Sequence, residues 1–153
     1  MMQKKVDLQD ELDQIRANFQ YEFMAIALVE PAEFDYLIKW KYVSGNLNDR
    51  YKQVVLRSGK GVPGIVFKTG KPMFIPSVAE CIEADSLFNY PIINFEKLTS
   101  LVAVPLWNDQ RVAGVLLGGF RGEQQATKQH LQDLLDLARS GIGELNGKEL
   151  TTS

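Results

Sequence analysis

The sequence predicts an α+β fold in which helices cover a central antiparallel sheet. Its 153 residues are enough for one domain. Amphipathic helical patterns stand at the two ends of the chain, and short apolar or alternating runs typical of strands lie between them. Short turns join several of these runs, which favours antiparallel pairing. We expect the terminal helices on one face of the sheet and residues 58–97 on the other.

Composition excludes several classes of protein. The net charge of −2 and a pI near 5.5 are unlike the basic surfaces of nucleic-acid binders. No run approaches the roughly 18 apolar residues of a membrane span, and the first residues contain no apolar segment typical of a signal peptide. We therefore expect a cytoplasmic protein with no nucleic-acid or membrane partner.

The first helix is predicted over about residues 7–19. Leu8, Leu12, Ile15 and Phe19 recur at helical spacing, and Asp7 precedes them as a cap. Residues 23–30 form an apolar run that ends at Pro31 and predict a buried strand. The next strand, over residues 34–43, is predicted to present one continuous aromatic and aliphatic face, because its large side chains alternate. They are Phe34, Tyr36, Ile38, Trp40 and Tyr42.

The middle of the chain mixes short elements. A strand is predicted near residues 53–57, followed by a loop that enters a helix with Pro63 at its first position. Gly70 should end that helix. Phe74 and Ile75 predict a short strand, and residues 79–97 predict a helix and then a chain break at Tyr90-Pro91.

The last third predicts a hairpin and a helix. Residues 101–107 and 112–120 form the hairpin, and Pro105 indicates an edge or a bulge. Thr127 is the expected cap of the final helix, and the tail 147–153 is expected to fray. The apolar stripe of that helix comprises Leu131, Leu134, Leu135, Ala138, Ile142 and Leu145.

Reactive side chains are scarce. The single cysteine, Cys81, excludes an intramolecular disulfide, a redox cysteine pair and a thiolate zinc site. We interpret Cys81 as a helix-packing residue in preference to a nucleophile. The single histidine, His130, has no serine, cysteine or paired carboxylate near it in sequence, so we interpret it as a surface or half-buried residue. No catalytic residue and no metal site are expected.

The glycine-rich segment 58–64 is the most suggestive motif. Three glycines and a lysine lead into a helix start, where free N–H groups and the helix dipole favour an anion. The segment is not a phosphate-binding P-loop, because Val62 follows Gly61 where that motif requires lysine. It is also not a dinucleotide-binding fingerprint. A tight loop that needs glycine only for its backbone angles remains the simpler reading.

The aromatic strand leaves two interpretations open. A stripe that includes Trp40 is more often core than a binding site. However, an aromatic sheet face covered by a segment rich in glycine and proline is also how a small pocket is built. Tyr90 adds a second aromatic side chain beside a chain break.

Residues 22–145 resemble a GAF domain, a small-molecule sensor fold related to PAS domains. The resemblance is carried by residues 56–64, the Lys68-Thr69-Gly70-Lys71-Pro72 turn, and the strands 100–106 and 112–117. It implies one domain over residues 1–153, with a core of about 22–145 and a ligand pocket on the sheet face opposite the terminal helices.

Among GAF domains, the chain is most similar to the stand-alone bacterial nitrate receptors. The similar stretches are residues 38–46, 48–50, 56–64, 90–92 and 103–107. This resemblance implies a nitrate receptor without a cofactor. It also implies regulation of a PAS-type sensor histidine kinase in a two-component system for nitrate and oxygen response and nitrate assimilation. Nitrate-free protein would restrain the kinase, and nitrate would relieve the restraint.

The same resemblance implies a nitrate pocket that is neutral and largely apolar. Pro63 removes one N–H from the helix start and so limits the donors there. The implied lining residues are Trp40, Val62, Pro63, Gly64, Ile65, Val66, Tyr90, Pro91, Ile92, Leu101 and Ala103.

Other GAF functions fit the sequence less well. Free methionine sulfoxide reductases use several cysteines, bilin attachment needs a cysteine beside a histidine, and haem sensors need a proximal histidine. The Asn-Lys-Phe-Asp-Glu signature of cyclic-nucleotide GAF domains is missing. We therefore expect no enzyme. Two alternatives stay open, namely a sensor of another small molecule and a ligand-free interaction module that forms a homodimer through its terminal helices.

Overall fold

The computed structural model describes residues 7–33 and 35–148. Helices at the two ends flank six strands and three shorter helices, with two 3₁₀ turns in the middle of the chain. The elements are α1 (Leu8–Phe19), β1 (Phe23–Pro31), β2 (Tyr36–Ser44), a first 3₁₀ helix (Arg50–Gln53), β3 (Val55–Leu56), α2 (Gly61–Thr69), β4 (Met73–Ile75), α3 (Val78–Cys81), a second 3₁₀ helix (Ala84–Asn89), α4 (Pro91–Glu96), β5 (Ser100–Asn108), β6 (Arg111–Phe120) and α5 (Lys128–Ser140).

The six strands form one sheet in the order β3-β2-β1-β6-β5-β4, and every neighbouring pair is antiparallel. Helices α1 and α5 enclose an apolar cluster on one face, which we call the α5-side core and which includes Leu12, Ile26 and Leu134. The segment from Val54 to Leu98 covers the other face and encloses the α2-side core, which includes Trp40 and Val62. The predicted α+β fold with its terminal helices on one face is confirmed.

Strand β2 does not present the single aromatic face that alternation predicts. Its register against β1 pairs Tyr42 with Ile26 and Trp40 with Ala27, so Lys41 is an extra residue in a bulge. Trp40 consequently lies in the α2-side core, and Tyr42 packs against the α5-side core. Phe34, the first residue of the predicted strand, lies outside the described residues.

Both terminal helices begin where the sequence predicts. Asp7 accepts hydrogen bonds from the first turn of α1, and Thr127 accepts one from the backbone N–H of His130 in α5. However, α5 ends at Ser140, because Gly141 has a φ of +93°. The predicted apolar stripe therefore leaves the helix before its last two members, Ile142 and Leu145, which pack on the same core from a turn.

The tail is ordered further than predicted. The N–H of Gly147 donates to the carbonyl of Trp107 at 3.0 Å, and the carbonyl of Lys148 accepts from Gln110 at 2.8 Å. The segment after α5 is thus tied to the hairpin as far as Lys148, where fraying was expected. Residues 149–153 lie outside the described part of the chain.

The predicted hairpin is confirmed, with a tight turn at Asp109 and Gln110, which both have positive φ. Pro105 lies beyond the residues that β4 pairs with, and a bulge follows it at Leu106, so both features expected of Pro105 are present. Strand β3 is shorter than the predicted 53–57, because the first 3₁₀ helix extends to Gln53.

Candidate functional site

Helix α2 begins at Gly61, two residues before the predicted start at Pro63. The reason is that Gly64 donates its N–H to the carbonyl of Lys60 at 3.0 Å, which closes the first turn early. Pro63 still lies in that first turn, where no N–H needs an intrahelical partner. Gly61 has a φ of +65°, in the left-handed region that favours glycine.

The glycine loop folds tightly against this helix start. The carbonyl of Gly64 accepts a hydrogen bond from Gly59 at 2.8 Å, and a Cβ at position 64 would overlap the carbonyl oxygen of Arg57. Glycine is therefore required there for a close backbone approach. The tight-loop interpretation is therefore confirmed for Gly64, which is needed whether or not a ligand binds.

The start of α2 presents two N–H donors that have no partner within the helix. The N–H groups of Gly61 and Val62 make no hydrogen bond with any residue in 7–33 or 35–148. Both residues are buried, and the dipole of the helix adds partial positive charge at this end. An acceptor placed there would satisfy donors that the helix itself leaves free.

Trp40 adds a third donor on the same side of the sheet. Its side chain is 3% exposed and belongs to the α2-side core, together with Val62 and Val66. The indole Nε1–H is buried and has no partner among the described residues. A buried donor without a partner costs about 1–3 kcal/mol, and an acceptor within reach of this N–H would recover that free energy.

All the residues that the family resemblance implied lie on the α2 side of the sheet, with different exposure. Pro63 and Gly64 are buried in the first turn of α2, and Tyr90 packs against the α2-side core. Ile65 and Pro91 are half-buried. Six others form part of the α2-side core itself, namely Trp40, Val62, Val66, Ile92, Leu101 and Ala103.

A pocket of about 270 Å³ opens at the surface beside the glycine loop. Its lining brings Ile65 and Tyr90 together. The backbone of the glycine loop, the cationic Lys60 and Asn89 complete it. Lys60 belongs to the glycine-rich segment 58–64 and Asn89 precedes the Tyr90-Pro91 break, but neither was predicted to line the site.

A buried ion pair secures the end of α4, and the sequence did not reveal it. Glu96 is fully buried and its Oε1 lies 2.6 Å from Nη2 of Arg121, while Nε of Arg121 donates to the Glu96 carbonyl at 2.8 Å. The same Oε1 accepts from the N–H of Leu47 at 2.8 Å. The i, i+4 spacing of Ile92 and Glu96 places both on one helical face, and this spacing could have indicated that Glu96 is buried.

The two candidate reactive residues are not brought together. Cys81 is exposed at the end of α3, so the helix-packing interpretation is wrong. His130 is half-buried as expected, with Nδ1 accepting from the N–H of Thr127 at 2.9 Å. Its ring packs against Tyr21 and Phe120 on the α5 side of the sheet.

The described ranges contain no group of three or more histidine, cysteine, aspartate or glutamate residues placed to hold a metal ion. Among the same residues, no helix combines the length and the apolar character that a membrane crossing requires.

Comparisons with a family model and with solved structures agree on one protein family. The GAF domain model matches residues 7–141. A structure of mutated NreA, altered in its nitrate binding site, from Staphylococcus aureus is 44% identical, with a TM-score of 0.74, and covers 78% of this chain and 87% of that chain. A hypothetical protein from the same organism is 45% identical, with a TM-score of 0.73 and coverage of 76% and 94%.

More distant likeness is limited to the fold. The free methionine-R-sulfoxide reductase of Neisseria meningitidis is 19% identical, with a TM-score of 0.66, and covers 87% of this chain and 74% of that chain. No curated protein matches the chain in sequence. The family model spans the sheet, the glycine loop and all of α5, and the chain therefore belongs to the GAF domain family.

Proposed function

We propose that this GAF domain is a cytoplasmic nitrate sensor and not an enzyme. The observation that carries the proposal is the buried Nε1–H of Trp40, which has no partner among the described residues. The N–H groups of Gly61 and Val62 supply further donors at the start of α2. The related NreA from Staphylococcus aureus has a nitrate binding site.

The chemistry of this region suits nitrate. Nitrate is a planar monoanion with three acceptor oxygens and weak hydration, so an apolar pocket with a few N–H donors can replace its water. A charge-assisted hydrogen bond contributes about 1.5–3 kcal/mol, and a helix start contributes about 0.3–1 kcal/mol. Desolvation and ordering reduce the sum, which points to micromolar to millimolar affinity.

The same lining should reject multivalent anions. The α2-side core consists of aliphatic and aromatic side chains, and none of the described arginine or lysine residues is buried. Such a pocket cannot offset the desolvation of sulfate or phosphate. Lys60 lines the pocket beside the glycine loop, where its positive charge would attract anions without neutralising a second buried charge.

Nitrate titration of the purified protein tests the proposal. We expect the melting temperature to rise with nitrate and to change less with chloride or sulfate, because a ligand that binds only the native state stabilises it by mass action. Nitrite serves as the close analogue. If none of these anions shifts the melting temperature, the nitrate proposal fails.

The donor role of Trp40 is tested by Trp40→Phe, which retains an aromatic ring and removes the N–H. Loss of one charge-assisted hydrogen bond should weaken nitrate binding about 10- to 100-fold. Trp107→Phe is the matched control, since Trp107 lines a different cavity beside α5. Calorimetry below the melting temperature of each variant separates affinity from stability. Equal affinity in Trp40→Phe and the wild type would exclude Trp40 as a donor.

We further propose that nitrate binding regulates a PAS-type sensor histidine kinase of a two-component system, with nitrate-free protein restraining the kinase. The support is the resemblance to stand-alone nitrate receptors together with the NreA relative. The test is kinase autophosphorylation with this protein added, in the presence and absence of nitrate. Equal phosphorylation in both conditions would contradict it.

The second candidate function is an interaction module without a ligand. The close packing of the α2-side core favours it, because Trp40, Ile92 and Ala103 are all at most 3% exposed. In that case the terminal helices would form a homodimer. For such a module, light scattering should show a dimer, and no small anion should change the melting temperature.

A further inference from the structure

A cavity of about 620 Å³ opens at the end of the sheet where β5 begins and β6 ends. Helix α3 and the second 3₁₀ helix form one wall, and the loop between β6 and α5 forms another. Its lining includes no residue of β2, α2 or α4. The cavity is therefore separate from the candidate nitrate site, and its volume falls in the range of about 300–1,000 Å³ typical of small-molecule pockets.

The walls of this cavity are held in place without a ligand. The N–H of Val78 donates to the carbonyl of Thr99 at 2.8 Å, which fixes α3 to the start of β5. The hydroxyl of Thr99 donates to the carbonyl of Gly122 at 3.0 Å. The buried hydroxyl of Ser100 accepts from the N–H of Ala126 at 2.6 Å, so both ends of the loop are anchored.

The chemistry of the lining divides into two parts. Val78, Ile82, Leu87 and Leu98 supply an apolar surface from three segments of the chain. Glu123 is the one charged residue among the described residues that line the cavity. Its carboxylate makes no ion pair with any of the described residues. An apolar body would be buried by the first part, and a positively charged head would be attracted by the second.

We propose that this cavity is a second ligand site, which takes a small amphipathic amine. The apolar part of the amine occupies the space between Ile82, Leu87 and Leu98, and its ammonium group faces Glu123 at the exposed rim. Carboxylates and nitrate are disfavoured there because the same rim repels them. The proposal is independent of nitrate binding.

The test is an amide-resolved NMR titration of the nitrate-free full chain with 3-phenylpropylamine and with 3-phenylpropionate. The two probes have the same apolar body and opposite charge. We expect saturable shifts at Val78, Ile82 and Leu98 with the amine, in the millimolar range. Binding of the amine should be about two- to five-fold tighter than that of the carboxylate, which is the effect of an exposed ion pair. Signals at Val62 should stay unchanged.

Two variants with matched controls assign the site. Ala84 is an exposed residue of the lining, so Ala84→Phe should fill the cavity and abolish the shifts. Ala17 is an exposed residue of α1 outside the lining, so Ala17→Phe should leave them. Glu123→Gln should remove the preference for the amine, and Glu144→Gln should retain it. Trp40→Phe should bind the amine like the wild type, which separates this proposal from the nitrate site.

Three results would overturn the proposal. The first is the absence of saturable shifts with the amine. The second is unchanged amine binding in Ala84→Phe, which would locate the probe elsewhere. The third is carboxylate binding that equals or exceeds amine binding, which would exclude the charge assignment of Glu123.

Discussion

Replacing Arg121 by methionine tests the ion pair that fixes the end of α4. The Glu96 side chain is 0% exposed and that of Arg121 is 17% exposed. Arg121 donates to the carboxylate and the carbonyl of Glu96 and to the carbonyl of Glu22. Its guanidinium also lies 5.5 Å from the ring centre of Phe23. Methionine retains an unbranched apolar chain over that ring and removes every side-chain donor.

The magnitude follows from what remains around the carboxylate. In Arg121→Met, Glu96 would keep one hydrogen bond from the N–H of Leu47, and its Oε2 is already without a partner among the described residues. Removing one member of a buried ion pair costs about 3–5 kcal/mol. At about 2–4 °C per kcal/mol for a domain of this size, the melting temperature should fall by about 6–20 °C.

Equilibrium unfolding in urea, followed by far-ultraviolet circular dichroism, measures this loss. The double variant Arg121→Met with Glu96→Leu should be more stable than Arg121→Met alone, because the uncompensated charge is gone. Arg139→Met is the control, since Arg139 pairs at 3.7 Å with Asp136 on the exposed surface and should cost less than about 1 kcal/mol. A loss below about 1 kcal/mol for Arg121→Met, or strictly additive losses in the double variant, would refute this account.

Three further substitutions have defined outcomes. Burial raises the pKa of the Tyr21 hydroxyl, which has no partner among the described residues. Tyr21→Phe should therefore leave the free energy of unfolding, measured in urea, unchanged or raise it by about 1 kcal/mol. A clear decrease in that free energy would show that the hydroxyl has a partner. Thr127→Ala removes the cap of α5 and should cost about 1 kcal/mol by the same measurement, whereas no loss would show that the helix start is held by other contacts. Hydrogen bonds from Lys41 and then Lys39 hold the pKa of the Glu30 carboxyl below its usual value. The stability that these two lysines give through Glu30 is present above the unfolded-state pKa of Glu30. It is lost as the pH falls through the lower folded-state pKa. In Lys41→Met the NMR-measured pKa of Glu30 should rise more than in Lys39→Met, and the reverse order would contradict the assignment.

Much of the fold could be predicted because local patterns and tertiary packing agree. Asp7 and Thr127 cap their helices as expected, and Gly70 ends α2 in the left-handed conformation. Alternation failed in β2, since a bulge depends on the register with the neighbouring strand and leaves no mark in the sequence of β2 itself. The exposure of Cys81 was missed for a related reason, because a single helical turn buries too few residues to show a period.

The side of the sheet on which the implied residues lie could be predicted, whereas their role in nitrate binding stays a prediction. The implied residues lie on one side of the sheet, as the family resemblance predicts. The free N–H of Trp40 depends on which atoms surround it, and that information comes from residues far away in sequence. The pairing of Glu96 with Arg121 joins positions separated by 25 residues. No local pattern encodes such a contact.

The bulge in β2 bears on how insertions and deletions are read in this family. Trp40 and Tyr42 face opposite cores although two positions separate them, because Lys41 has no partner in the ladder. A relative that lacks this one residue would have the two aromatics adjacent and, by ordinary alternation, still on opposite faces. A one-residue gap at Lys41 therefore preserves both cores, whereas a gap at either neighbouring position would delete one of the two aromatic side chains.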